Sequence, residues 1–429
     1  MGGHGPGTST ATDYSVASDP SGYTQNYYLS YRIFTQLDTK MGPGTLTFIP
    51  SYQYATGYNW STGMGAFAKS VDPKDAKQKS ADLRYVATTD ANWQWATGLY
   101  FYDKNDVGDA FGGTAYGTTR SYAGYVNLTY PITDATRLIG GVRESSDKKT
   151  YRLVDAGGGE TNGSDSRTTF DWKAGVESDL TNASRLYLTV ATGHRPGGFN
   201  ILADNTAPLT TPGSFYKPES LLSYEVGTKN RFLDDRLQLN GAVFFYDYKD
   251  YQLADIYSFV GGLHAEFINA NAQIKGAELE AQALLGHGTK LDAGVTYLDG
   301  KLTQDVTRTL SGVTTTVFRD GDTLSHSPKL ALRVGLDHEF ALTHGSLTPR
   351  VAYRYTDKQY VNAVNNDANL QDAYTGSDAS LTYKSEDGKW TVNAYCNNLS
   401  DKQVKTFLAG PTPQVSDPRT YGVVFNAKF

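Results

Sequence analysis

Cationic and aromatic side chains flank one long polar stretch near the middle of the chain. His194, Arg195 and Phe199 precede this stretch, and Tyr216 and Lys217 follow it. Cationic groups form charge-assisted hydrogen bonds with anions, and aromatic rings stack on planar groups. These five residues therefore predict a contact site for an anionic, partly planar ligand such as a ferric chelate.

A structural interpretation of the same residues is the stronger one on the sequence alone. Gly197 and Gly198 suit a bend or a bulge, and tyrosine rings are common in the aromatic girdles of membrane barrels. The long polar stretches around residues 200–212, 304–327 and 362–373 are equally plausible contact surfaces for a ligand. Both interpretations stay open at this point.

Other kinds of chemistry have little support in the sequence. No Ser, His and acidic residue form a recognisable catalytic motif, and no histidine has ligand spacing with a third metal donor. Cys396 is the only cysteine, and the net charge of -6 includes no basic block. We therefore predict no catalytic residues, no metal site, no cofactor and no nucleic-acid partner.

Short and long connections alternate along the chain. Tight connections are predicted at residues 38–42, 89–92, 133–136, 179–183, 234–235, 286–289, 343–345 and 386–389. Short turns on one rim of a sheet and long loops on the other are typical of an outer-membrane β-barrel. The 31 Tyr and 44 Gly among 429 residues agree with this class, and no apolar run is long enough for a spanning helix.

Alternation of apolar and polar residues places the strands. In residues 330–340, for example, Leu332, Val334 and Leu336 share one face, whereas Arg333 and Asp337 share the other. The predicted strands are 23–36, 44–58, 76–88, 93–104, 120–132, 136–153, 167–179, 184–199, 218–233, 236–252, 265–285, 289–302, 329–342, 346–361, 374–385, 389–404 and 420–429. Seventeen strands with a periplasmic C-terminus place Met1 on the extracellular side, so we expect residues 1–22 to be a loop remnant and residues 23–429 to be the barrel.

The last strand carries a specific local pattern. Tyr421, Val423, Phe425 and the terminal Phe429 share one face. This pattern resembles the terminal strand that the outer-membrane barrel assembly machinery recognises. We therefore expect these residues to be the assembly signal.

Several stretches of the chain resemble the β-barrel of TonB-dependent outer-membrane receptors. They are SRLYLTVATGHRPGGFN from Ser184 to Asn200, YKPESLLSYEVGTKNRFLDDRLQLNGAVFFYDYKDYQ from Tyr216 to Gln252, NANAQIKGAELE from Asn269, NNLSDK from Asn397 and DPRTYGVVFNAKF from Asp417. Before Arg120 the resemblance is looser. The resemblance implies a barrel of about 22 strands with a plugged lumen, of which this chain would supply about the last seventeen.

The resemblance also implies a function and its partners. Such receptors import a scarce, large solute, most often a ferric siderophore, as monomers in the outer membrane of Gram-negative bacteria. The resemblance implies that TonB acts only through an N-terminal plug, and we expect this plug and about five strands to be missing from the chain. A passive porin-like channel without a plug, a non-functional truncated receptor and a barrel hydrolase are the alternatives.

Overall fold

The computed structural model describes residues 23–62, 73–89, 93–110, 113–155, 157–200, 215–259, 262–310, 313–409 and 412–428, and most of them lie in β-strands. Within these ranges, no helix combines the length and the apolar content needed to cross a bilayer. The predicted loop remnant at residues 1–22 and the terminal Phe429 lie outside the described residues.

The strands in chain order are β1 (Tyr23–Phe34), β2 (Leu37–Met41), β3 (Gly44–Thr62), β4 (Pro73–Thr88), β5 (Gln94–Ala110), β6 (Gly113–Pro131), β7 (Thr136–Val154), β8 (Glu160–Thr181), β9 (Ser184–Arg195), β10 (Gly198–Phe199), β11 (Phe215–Tyr216), β12 (Glu219–Phe232), β13 (Leu237–Phe259), β14 (Gly262–Gly286), β15 (Thr289–Leu302), β16 (Val306–Leu310), β17 (Val313–Phe318), β18 (Leu330–His338), β19 (Phe340–Leu342), β20 (Gly345–Thr356), β21 (Gln359–Tyr360), β22 (Leu370–Gln371), β23 (Tyr374–Ser385), β24 (Trp390–Asn397), β25 (Lys405–Ala409), β26 (Thr412–Val415) and β27 (Thr420–Ala427).

Nineteen of the described strands belong to one antiparallel sheet. β1 and β2 both pair with β3, so together they form one interrupted run. β18 and β19 both pair with β20 and form another. Counted in this way, the described part of the sheet has the seventeen runs that the sequence predicts. The remaining strands form short two-stranded ribbons: β10 with β11, β16 with β17, β21 with β22, and β25 with β26.

The predicted tight connections join consecutive strands of the sheet, but two of them begin later than predicted. β8 continues through Thr181, so the turn predicted to begin at Asp179 contains only residues 182–183. β2 continues through Met41, and only Gly42 and Pro43 separate it from β3. The prediction of a turn beginning at Asp38 is therefore wrong. Gly42 has a φ of 58°, a left-handed conformation that glycine adopts without a steric penalty.

Several strands extend further toward the long loops than predicted. β6 begins at Gly113 and β8 at Glu160, whereas β13 continues to Phe259. Antiparallel hydrogen bonding can continue where neither face contacts lipid, so the apolar alternation ends before the strand does. The opposite error occurs in β24, which is predicted to reach residue 404 but ends at Asn397. Asn398 has a φ of 52°, which is not a strand conformation, and its side-chain Nδ2 donates to the carbonyl of Lys402.

The chain divides into two compact units. The first contains residues 1–174, 191–221 and 250–269. Within it, a row of apolar side chains crosses neighbouring strands, since Leu37 lies opposite Phe48, Phe48 opposite Leu83, and Leu83 opposite Leu99. All four are exposed, with Leu99 at 63%. A continuous exposed apolar row of this kind is expected where a sheet faces lipid.

The second unit contains residues 175–190, 222–249 and 270–429. Its strands separate apolar and charged residues between two faces. Val334 and Leu336 are exposed on one face, whereas Arg333 forms an ion pair with Glu280 at 2.6 Å on the other. Arg350 also forms an ion pair with Asp337 at 2.7 Å. The predicted separation of charged from apolar residues is confirmed in these strands.

Candidate functional site

His194 lies in a polar cluster built from three strands of the first unit. Thr169 and Asp171 are two residues apart on β8, so both side chains point to the same face. The Nδ1 atom of His194, on β9, bonds to the Asp171 carboxylate, and its Nε2 atom lies 2.8 Å from Oγ1 of Thr169. Asp147, on β7, approaches the same Nε2 atom at 3.4 Å.

These contacts leave His194 little freedom to bind an external ligand. Its side chain is only 14% exposed, and both ring nitrogens already have partners. The Asp147 and Asp171 carboxylates approach opposite sides of the ring, so they do not converge on one point. Among the described side chains, no group of three or more His, Cys, Asp or Glu is arranged to hold a metal ion.

The chain after β9 forms a short ribbon, which we define as residues 198–199 of β10 paired with residues 215–216 of β11. The rings of Phe199 and Phe215 are 5.6 Å apart in an edge-to-face arrangement. Phe199 also stacks on Tyr151 of β7 at 6.2 Å, and Tyr216 lies 5.0 Å from Phe267 of β14. Aromatic pairs at such distances contribute about 0.5–1.5 kcal/mol each beyond the burial of their area.

The ribbon requires glycine at two consecutive positions. A Cβ atom on Gly197 would lie 3.0 Å from the carbonyl carbon of Lys217 and from the nitrogen of Pro218. A Cβ atom on Gly198 would lie 2.6 Å from Cζ of Tyr216. The sequence suggested a bend or bulge here, and the observed requirement is close approach of another backbone and of an aromatic ring.

The side-chain amide of Gln252, on β13, holds the two ends of the ribbon together. Gln252 is 6% exposed. Its Nε2 atom donates to the carbonyl oxygens of Pro196 at 3.0 Å and Lys217 at 3.2 Å, and the carbonyl of Arg195 lies at 3.4 Å. One buried amide therefore connects the chain before the polar stretch with the chain after it.

Two asparagines complete this attachment. Asn269 accepts a hydrogen bond from the backbone N–H of Lys217 at 2.6 Å, and its Nδ2 donates to the carbonyls of Lys217 at 3.0 Å and Asp250 at 2.6 Å. Asn200 exchanges two hydrogen bonds with the backbone of Phe267, at 2.8 Å and 2.7 Å. We call Gln252, Asn269 and Asn200 the amide clamp.

The two predicted cations lie at the exposed edge of this arrangement. Arg195 is exposed at the end of β9. The Lys217 side chain is 68% exposed, and its Nζ atom lies 3.3 Å from the Asp250 carboxylate. Tyr216 is half-buried in the ribbon, and this burial raises the pKa of its phenol above the ordinary value.

The structure thus brings four of the five predicted residues, Arg195, Phe199, Tyr216 and Lys217, to one clamped ribbon. His194 belongs to the adjacent polar cluster. Sequence reasoning missed two kinds of residue that organise the site: the partners of His194 and the amide clamp. The clamp had a signal, because its three residues all lie in stretches that carry the family resemblance. The partners of His194 had none, since their meeting depends on strand register.

Comparison with known proteins identifies the family. The family described as "TonB dependent receptor-like, beta-barrel" matches residues 2–399. The pesticin receptor of Yersinia pestis is 26% identical over 322 residues, which cover 72% of this chain and 44% of that receptor. A probable TonB-dependent siderophore receptor of Acinetobacter baumannii, PiuA, is 27% identical over 243 residues, 55% of this chain and 30% of that protein. The chain therefore spans less than half the length of these curated relatives.

Solved structures share the fold. The ferric yersiniabactin uptake receptor FyuA of Yersinia pestis superposes with a TM-score of 0.73 and 22% identity, covering 95% of this chain and 62% of that one. The ferric-catecholate import receptor Fiu of Escherichia coli, in its closed form, superposes with a TM-score of 0.71 and 18% identity, covering 95% of this chain and 65% of that one. These relatives are receptors rather than enzymes. The chain belongs to the TonB-dependent receptor family, whose β-barrels reside in the outer membrane of Gram-negative bacteria.

Proposed function

We propose that this chain is the barrel part of a receptor that imports an anionic iron chelate, a ferric siderophore, with energy from TonB. The observation that carries the proposal is the clamped ribbon, which holds aromatic rings and two cations together. Rings that stack on planar groups and cations that bind oxyanions suit a chelate with aromatic, negatively charged arms.

The ion pair between Lys217 and Asp250 supports this role. The ammonium group is largely exposed, and an exposed ion pair contributes little stability, about 0–1 kcal/mol. An anionic solute can therefore compete with Asp250 for the ammonium group at low cost. Gln252 contacts the backbone carbonyls of both Arg195 and Lys217. The backbones of these two cationic residues therefore lie close together.

Relatives support the same class of solute. FyuA is a ferric yersiniabactin uptake receptor, and PiuA is a probable siderophore receptor. A plug segment, which the resemblance implies, would transmit force from TonB to the bound chelate. The ribbon and the plug would then share the solute, with the ribbon on the loop side of the barrel.

Uptake of radiolabelled ferric siderophore by iron-starved cells tests the proposal. We expect deletion of the gene to abolish the uptake of at least one siderophore, restoration of the gene to recover it, and loss of TonB to prevent it. Entry that persists without TonB, together with steady conductance of the purified protein in a planar bilayer, would indicate a passive channel and contradict the proposal.

We further propose how the barrel is oriented and bounded. The tight connections would face the periplasm, as in other outer-membrane barrels, and the long loops would face the outside. Residues 23–429 would form the barrel part of a monomer, and residues 1–22 would belong to an extracellular loop. Cleavage by a protease added to intact cells, at sites engineered after Asn182 or within residues 304–327, tests this orientation. Only the second site should be cut.

The assembly signal remains a proposal for β27. Tyr421, Val423 and Phe425 are exposed on one face, at 81%, 69% and 64%. A row of exposed apolar residues on the last strand is a surface that the barrel assembly machinery could bind during insertion. We expect Phe425→Ser or Phe429→Ser to lower the outer-membrane yield, measured by fractionation, while Asn426→Ser, on the opposite face, leaves the yield unchanged. Equal yields for all three variants would contradict this role.

A further inference from the structure

Three cations form a row on the apolar face of the first unit. Lys79 of β4 lies directly opposite Asp103 of β5, Asp103 opposite Arg120 of β6, and Arg120 opposite Lys148 of β7. We call these four residues the cation row. Asp103 accepts hydrogen bonds from Arg120 at 2.8 Å and 2.7 Å. Three cations and one carboxylate leave the row with a net positive charge.

Apolar side chains lie next to the cation row, on its side toward the tight connections, which we call lower. One register step lower, Phe101 is opposite Tyr122, with their rings 5.3 Å apart. A further step lower, Leu83 is opposite Leu99. These four side chains line a shallow depression of about 510 Å³ on the surface of the sheet. Glu144 also lines the depression.

The position along the strands places the cation row at a membrane boundary. Its residues lie about ten to twelve positions from the tight connections of their strands, or about 33–40 Å along a strand. With a strand tilt of about 35–45°, this distance corresponds to a height of roughly 25–30 Å. The apolar band of an outer-membrane barrel is about 25 Å tall. The cations therefore lie at the level where lipid headgroups begin.

Lys and Arg are costly on the lipid face within the apolar band, by about 2–4 kcal/mol at its centre, and this cost falls to about 0–1 kcal/mol near the interface. At the interface, a phosphate group can instead bind the cations directly. We infer that the cation row and the depression bind a phosphorylated lipid of the outer leaflet, with its phosphate on Lys79, Arg120 and Lys148 and an acyl chain against the apolar side chains.

Binding of lipid to the detergent-purified protein tests this inference. The probes are nanodiscs or mixed micelles of phosphatidylcholine that contain lipid A, and the same particles with lipid A lacking its phosphates. We expect the phosphorylated form to bind more tightly, and the difference to shrink as ionic strength rises. Equal binding of both forms would overturn the inference. Displacement of lipid A by an equal concentration of inorganic phosphate would also overturn it, since this result would indicate a site for free anions.

Variants locate the binding to the cation row. Lys79→Gln with Lys148→Gln keeps the Asp103–Arg120 ion pair intact, so the fold should survive. Each basic residue near a phosphorylated surface contributes about 1 kcal/mol, so the double variant should bind about thirtyfold more weakly. The matched control, Arg84→Gln with Lys104→Gln, removes the same charge from the other face of β4 and β5 and should bind normally. Equal weakening in both double variants would overturn the inference.

Discussion

Removal of the Gln252 side chain tests whether the amide clamp holds the ribbon in place. Gln252→Ala deletes the donor that serves the carbonyls of Pro196 and Lys217, at 3.0 Å and 3.2 Å. The backbone N–H of residue 252, which donates to Glu219 at 2.7 Å, remains in the variant. The change is therefore confined to the link between the two ends of the ribbon.

The magnitude follows from the number of hydrogen bonds lost. An amide nitrogen carries two hydrogens, so Gln252 can make two good bonds, and the Arg195 carbonyl at 3.4 Å adds little. Each bond contributes about 1 kcal/mol, and a buried acceptor left without a donor costs about 1–3 kcal/mol. We expect the free energy of local opening to fall by about 2–4 kcal/mol, which raises the opening equilibrium by roughly thirtyfold to several hundredfold.

Hydrogen–deuterium exchange measures this opening. Amides in residues 197–200 and 215–219 should exchange faster in Gln252→Ala by that factor, while the amides of β5 and β6 stay unchanged. The control is Gln273→Ala, which removes a glutamine with a single side-chain bond, to Asp247 at 3.1 Å. It should leave the ribbon unaffected. Ribbon exchange at the wild-type rate in Gln252→Ala would refute the structural role of the clamp.

Three further variants probe neighbouring contacts. Gly198→Ala should displace the Tyr216 ring and speed exchange of the ribbon, and this effect should vanish in a Tyr216→Ser background; a persistent effect would exclude the ring clash. Burial raises the pKa of the Tyr216 phenol above the ordinary value near 10, so the neutral phenol stabilises the fold fully below about pH 10, and this stability is lost as the pH rises through the raised pKa. Ultraviolet difference spectra of the wild type against Tyr216→Phe follow this ionisation, and a phenol that titrated in the ordinary range would contradict the expectation. His194→Ala leaves Asp147 and Asp171 without their shared partner, so we expect the free energy of unfolding to fall by about 1–3 kcal/mol. Urea denaturation measures this change, and an unfolding midpoint equal to that of the wild type would contradict the structural role of the cluster.

The sequence was sufficient to predict the sheet because lipid imposes a simple pattern. Residues such as Leu332, Val334 and Leu336 must alternate with polar ones in every segment that crosses the bilayer. Tight connections give a second, independent signal between consecutive strands. Both signals are local in sequence. The seventeen runs could therefore be predicted, whereas strand ends near the loops, where no lipid constrains either face, could not.

The candidate site could be predicted only in part, because its contacts join distant segments. Arg195, Phe199, Tyr216 and Lys217 were found from residue type and from their positions beside a polar stretch. The meeting of His194 with Asp147 and Asp171 requires the register of three strands, which one sequence does not specify. The clamp joins Gln252 to carbonyls more than thirty positions away, and glutamine alone gives no sign of such a role.

Titration of the purified protein with a ferric catecholate siderophore is the most direct test of the proposed ligand site. We expect binding in the wild type and about fivefold weaker binding in Lys217→Gln, the effect of losing about 1 kcal/mol from one exposed charge-assisted contact. Lys301→Gln is the matched control, because Lys301 also pairs with an aspartate, Asp299, at 3.4 Å, and its binding should be unchanged. Equal affinity of the wild type and Lys217→Gln would contradict the assignment of the clamped ribbon as the solute-binding site.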